Sequence, residues 1–304
     1  YFGVNTYTIG IFRSWNSMND SGAAIQLSSI LLFIVAFLFF LEKYFNQNKR
    51  FSFSKNSKLV SLIRPDNSTK FLIYLICLIP IVLAFVIPVL FNLSNIFSSF
   101  DDINFERLLN LTFNSFTISL ISSVLILVVS TFFLYNEKIS NSKIYYYINQ
   151  FISLGYSIPG AVVALAVVLS VTGLDNLNDS VKLLGSFSVY FLILIYAYII
   201  RFMAVGKSPI KSSLEKHPES YDNSAKNLGL SNFKIFQKIY FPINKYAFFT
   251  ALILVFIDLM KELPITLILR PFNFDTLATQ TYEFAIEEMI PLSSIYSSVI
   301  ILIC

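Results

Sequence analysis

Asp258, Lys261 and Glu262 stand almost side by side at the end of a long apolar run. A charge inside a bilayer is costly and is kept mainly where a path or a partner needs it. Asp258 and Lys261 have the i, i+3 spacing that lets them pair along one helix face. Asp258 is the deeper residue and is the candidate for a polar group on a translocation path or its gate. Lys261 and Glu262 lie nearer Pro264 and read as markers of the outer end of a span. A second polar series, Asn114, Ser115, Thr117, Ser119, Ser122 and Ser123, studs another apolar run. Small side chains of this kind favour close helix packing, and Asn114 is the candidate for pore lining. Ser157-Ile158-Pro159-Gly160 predicts a break in a third run. A break at Pro159 either lines a cavity or is a simple kink.

Other chemistries have little to work with. His217 is the only histidine, which argues against a histidine metal site. Cys77 and Cys304 are far apart, and no CxxC or disulfide framework follows from them. No GxxxxGK[ST] phosphate loop occurs, so the chain has no ATP site of that type. Tyrosines such as Tyr145, Tyr146 and Tyr147 fall at span ends, where an aromatic belt is expected rather than a phenolate metal site. No histidine, cysteine or carboxylate cluster supports an integral membrane enzyme, and no cofactor or bound metal is expected.

The elements that position these residues are apolar. Of 304 residues 56% are hydrophobic and only 13% charged, against about 25% charged in a soluble domain. No charge occurs between Lys70 and Asp101, Arg107 and Glu137, or Lys143 and Asp175. Each run exceeds the roughly 20 residues that cross a bilayer as a helix. Candidate spans cover 23–41, 71–93, 111–135, 151–171, 184–203, 246–265 and 291 onward. They are too long for barrel strands, so the fold class is an all-α polytopic transmembrane bundle. Pro80, Pro88, Pro159 and Pro264 predict kinks or breaks.

Loops 42–70, 136–150 and 201–245 hold 7, 2 and 8 of the 22 lysines and arginines. If the spans alternate, all three lie on one side, which the positive-inside rule makes cytoplasmic. Residues 42–70 are basic and rich in Ser and Asn, like a linker between one span and a six-span module. The chain starts at Tyr1 and stops inside an apolar run. It reads as a piece of a longer protein.

The polar segment 204–245 is the longest cytoplasmic insertion of that module. Ser208-Pro209 looks like a helix start. Pro218 starts a second helix, with Glu219 in its first turn, which runs to Leu228 and stops at Gly229. Ser231 caps a third helix that Pro242 ends. Phe233, Ile235, Phe236, Ile239 and Tyr240 give that helix one broad apolar face. Two readings remain open on the residues alone. The segment rests on lipid headgroups, or it docks a soluble partner.

Asn223-Ser224-Ala225, three residues, Gly229, nine residues, then Ile239-x-Phe241-Pro242 resembles the signature of ABC importer permeases, Glu-Ala-Ala, three residues, Gly, nine residues, Ile-x-Leu-Pro. Every spacing matches. The Glu and first Ala are replaced, with Asp222 adjacent. YFGVNTYTIGIFRSW (1–15), SIPGAVVALAV (157–167) and KELPITLILRPFNFDTLATQTYEFA (261–285) also resemble the second half of ferric iron permeases built from two fused halves.

The resemblance implies a type I importer fold, a six-span module plus one preceding span. Residues 1–41 would be the external segment and last span of the preceding half, 42–70 the cytoplasmic linker, and 71–304 the six-span domain with coupling loop 204–245. It implies a multi-pass protein of the bacterial inner membrane. A separate cytoplasmic ABC ATPase would seat on Glu219, Asp222, Asn223, Ser224, Ala225, Gly229, Ile239 and Pro242. A periplasmic solute-binding protein would dock on loops 94–110 and 266–290, and the remaining partner is the lipid bilayer, not nucleic acid. Ferric iron is the implied cargo. The alternatives are another small solute (thiamine, polyamine or phosphonate) or a secondary transporter or channel with a lipid-binding loop.

Overall fold

The computed structural model describes residues 6–18, 20–46, 66–140, 143–177, 187–216 and 220–304. Among these the regular structure is helical: α1 (Tyr7–Asn16), α2 (Ser21–Asn46), α3 (Asn67–Ile81), α4 (Ile87–Ser98), α5 (Phe105–Ser140), α6 (Lys143–Leu154), α7 (Gly160–Leu177), α8 (Phe187–Leu214), α9 (Ser220–Asn227), α10 (Asn232–Ile235), α11 (Phe241–Met260), α12 (Pro264–Leu269), α13 (Leu277–Ile286) and α14 (Ile290–Ile303).

Among the described residues, five helical stretches are long and apolar enough to cross a membrane: Gly22–Glu42, Asn67–Ser98, Phe105–Ile139, Val189–Leu214 and Asn232–Met260. The stretch expected to span over 151–171 carries the break expected at Pro159: two helices, α6 and α7, meet there at a 114° bend. Tyr156 and Ser157 belong to a short 3-10 turn, and Pro159 offers its carbonyl to Val162 and Val163 at the start of α7. α14, with 14 residues, is apolar but shorter than these five stretches.

The core lies between α5, α8 and α11. Ile118 and Ile126 of α5, Leu194, Ala197 and Tyr198 of α8, and Val255 and Leu259 of α11 are buried together. Gly206 lets α8 approach closely: a Cβ there would lie 3.1 Å from Ile126 and 3.3 Å from Val255. Ser115, Ser119, Ser122, Ser123 and Ser130 are all buried, so the serine series of α5 serves helix packing as small side chains do in membranes. Ser115 Oγ also accepts a 2.7 Å bond from Leu277 N at the head of α13. α1 and α2 add a smaller cluster, Ile11 and Ala24 against Ala161, Val162 and Leu165 of α7.

Prolines behave differently from the local rule in two places. Pro209 was expected to open a helix, yet it lies inside α8. Ile210 and Leu214 beyond it are buried, and that packing carries the helix through the missing donor. Pro242 was expected to end a helix, yet helix continues from Asn232 to Met260. A π-turn over Phe236–Tyr240 directly precedes it, with Phe241 N bonded to Phe236 O. The wider turn makes room for a ring that an α-turn would crowd. The same device, Val82–Val86, precedes Pro88.

Candidate functional site

α9 and α10 meet at Gly229, whose φ is +72°. Gly229 N bonds Lys226 O at 2.9 Å and Leu230 N reaches Ala225 O at 3.2 Å. This is the paired closure that ends a helix through a left-handed residue, as the sequence led us to expect at this glycine. α9 stops at Asn227, with Leu228 N still bonded to Ser224 O.

The element is fastened to the bundle by one side. Ala225, Ile235 and Tyr240 are buried with Leu134 of α5, Ile210 and Leu214 of α8, and Phe248 of α11. Tyr135 donates its hydroxyl to Asn232 O at 2.5 Å, and its ring lies 5.0 Å from that of Phe236. Lys138 bonds Leu214 O at 3.1 Å and sits 4.6 Å above the Tyr240 ring. Ser213 Oγ donates to Asn244 Oδ1 at 2.6 Å.

The other side faces away. Leu228 is 80% exposed and Phe233 68%. Phe233 was expected on the packed face with Phe236 and Tyr240, and the structure corrects this. A regular helix would align Phe233 with Tyr240, but the π-turn changes the phase, and Ile235 and Tyr240 share the buried side instead. Of the sequence candidates, Ser224 is exposed, Ala225 buried, Ile239 half-buried and Pro242 exposed. Asp222 and Asn223 fall within α9, while Pro218 and Glu219 lie outside the described residues. Segment 204–245 is therefore mostly helix, its first part being the end of α8.

The path candidates sit in three settings. Asn114 Nδ2 donates to Asp275 O at 3.2 Å. It borders a polar cleft of about 360 Å3 with Asn104, Arg107, Asn110 and Asp275. Asp258 pairs with Lys261 at 2.8 Å, as their spacing foretold. Pro159 precedes Gly160, which packs against the ion pair Arg201–Glu262, 2.7 Å apart. That pair was missed. Arg201 was counted with the loop cations, and Glu262 was read as marking the outer end of a span. Arg201 stands instead about 20 Å from either end of α8 at 1.5 Å per residue. The available signal was Phe202-Met203-Ala204-Val205-Gly206, an apolar continuation past the charge. Lys207 was likewise counted as a loop residue. It is buried, bonded to Asn149 O and, at 2.7 Å, to Ser153 Oγ, where it anchors the end of α6. Asn149 in turn donates to Glu137 Oε2 at 2.6 Å.

Away from α9, Arg107 Nη2 donates to Gln280 Oε1 at 2.6 Å, and Arg270 pairs with Asp275 and, at 2.7 Å, Glu283. The expected docking loops 94–110 and 266–290 are largely helical, holding the ends of α4 and α5 and all of α13. Phe272 projects from the second, 88% exposed, beside Asn273 with φ +61°.

The pattern of the family described as binding-protein-dependent transport system inner membrane component matches residues 136–304. The chain is also similar to the Fe(3+)-transport system permease protein FbpB 2 of Haemophilus influenzae, 25% identical over 306 residues. That alignment covers 98% of this chain and 58% of the relative, so the chain spans somewhat more than half its length. The family match covers more than half of the sequence, including the broken span, the Gly229 element and the core of α8 and α11. The chain belongs to the inner-membrane components of binding-protein-dependent transport systems and is a multi-pass inner-membrane protein.

Proposed function

We propose that this chain is the permease part of an ATP-driven importer, forming the translocation path and coupled to a separate ATPase subunit through the Gly229 element. The observation that carries the reading is the two-sidedness of that element. Ala225, Ile235 and Tyr240 fix it to three long helices, while Leu228 and Phe233 present apolar surface outward. An exposed apolar pair on a rigidly fastened helical turn suits a partner that must push on the bundle. Asp222, Asn223 and Ser224 of α9 would flank the ATPase groove. Residues 71–304 would be one six-span half, 42–70 the linker, and 1–41 the end of the preceding half.

Chemical work is then done elsewhere: the permease hydrolyses nothing, and a solute-binding protein delivers cargo at the end holding Arg107, Arg270 and Phe272. Ferric iron is the proposed cargo, supported by the relative's name and by the likeness of 1–15, 157–167 and 261–285 to ferric permeases. The test is uptake of radioactive ferric iron into proteoliposomes holding the full-length permease and its partner ATPase, with the iron-loaded binding protein outside. ATP-dependent uptake lost in L228D/F233D at equal permease levels is the expected result. Uptake without ATP or without the ATPase would reject the importer reading, and ATP-driven uptake of a different solute would reject only the cargo.

A further inference from the structure

Two interruptions of helix meet at Arg201. One is the 114° break between α6 and α7; the other separates α11 from α12. Arg201 Nη1 donates to Glu262 Oε1 at 2.7 Å, and the same oxygen accepts from Ile265 N at 3.3 Å, at the head of α12. Glu262 is 7% exposed. Gly160, the first residue of α7, lies directly on the pair. A Cβ there would fall 1.8 Å from Arg201 Nη1 and 2.7 Å from Glu262 Oε1. Tyr198, one turn from Arg201, bonds Thr266 of α12 at 2.6 Å, and Thr266 Oγ1 donates to Glu262 O. A single guanidinium thus joins the middle of α8 to both breaks.

An ion pair this largely buried, with Arg201 18% and Glu262 7% exposed, is a poor way to make a static brace, because well-packed apolar residues hold a core equally well. It is suited to an arrangement that must come apart and re-form in register. The elements it joins are helix ends, where a few residues absorb a change of dihedral angle. Arg201 Nε is buried with no hydrogen-bond partner, so the guanidinium is not fully satisfied in this arrangement. We propose that Arg201 and Glu262 form a latch that holds the two helix breaks together and parts when the permease changes the side to which its path opens. Both are positioning residues. The proposal rests on the importer reading above.

The test uses full-length permease in four variants: R201Q, E262Q, the charge swap R201E/E262R, and the apolar pair R201M/E262L. With the ATPase present and no binding protein, a latch predicts that each single variant raises ATP hydrolysis severalfold; once iron-loaded binding protein is added, iron uptake per ATP falls. The swap restores both. The apolar pair keeps the wild-type melting temperature yet remains uncoupled. Wild-type hydrolysis and uptake in R201M/E262L would overturn the latch and leave a brace. A second measurement does not depend on transport. In a cysteine-free background of the full-length permease, with Cys77 and Cys304 among the residues replaced by serine, I158C beside the first break should react with a water-soluble maleimide severalfold faster in R201Q and E262Q than with the pair intact, and at the original rate in the swap. An unchanged rate in the single variants overturns the latch. Absence of ATP-driven uptake in the wild type would count against the importer reading alone.

Discussion

Substitution of Gly229 separates the shape of the α9–α10 turn from what the turn touches. Its φ of +72° lies where an L side chain costs about 1–2 kcal/mol. No atom lies within 4 Å of a Cβ built there, so the cost is backbone strain with no added clash. A loss of that size changes an equilibrium by a factor of about 5–30. Gly229→Ala should weaken closure of the turn by that factor, and Gly229→Asn by less, because asparagine tolerates the left-handed region. Gly229→Trp carries a backbone penalty similar to that of alanine and adds bulk into open space on the exposed side. The assay is iron taken up per ATP hydrolysed in proteoliposomes, at matched permease levels. The expected order is wild type, then Asn, then Ala, with Trp lowest. On the proposed reading, the gap between Ala and Trp reports contact with an ATPase, and the gap between Asn and Ala reports the turn. Wild-type coupling in both Ala and Trp would refute the assignment of this element.

Ser115→Ala removes the acceptor of the buried Leu277 N–H and should cost about 1–3 kcal/mol; an unchanged melting temperature would show that the bond contributes nothing. Gly206→Val forces side-chain atoms into Ile126 and Val255 and should destabilise the α5–α8–α11 core by about 1–3 kcal/mol, read as a lower melting temperature in detergent. Asp258→Ala breaks a pair whose lysine is largely exposed, worth under about 1 kcal/mol. Its melting temperature should hold while iron uptake falls, and full uptake would remove Asp258 from the path.

The membrane class, the positions of most spans, the break near Pro159 and the turn at Gly229 were legible because each rests on a local property: apolar run length, a missing donor, or a backbone region only glycine enters freely. The Asp258–Lys261 pair was legible for the same reason, being an i, i+3 relation on one helix. What escaped depends on residues far apart in sequence. Pro209 and Pro242 look like helix boundaries until packing at Ile210 and the π-turn at 236–240 are known. Arg201 looks like a loop cation until Glu262, remote in the chain, is found against it. Phe233 was assigned to the wrong face because one extra residue in a turn alters the phase of everything around it.

That extra residue ties the exposed turn to the membrane core as a matter of rotation. Each residue of an α-helix advances about 100° around the axis. Deleting one residue from Phe236–Tyr240 while leaving α10 seated would swing α11 by about that angle. Asn244, Phe248, Ala251, Val255 and Leu259, all buried on one side of α11, would then turn toward lipid. The span and the Gly229 element behave as one shaft, and length changes within Phe236–Tyr240 should be tolerated far less than substitutions there.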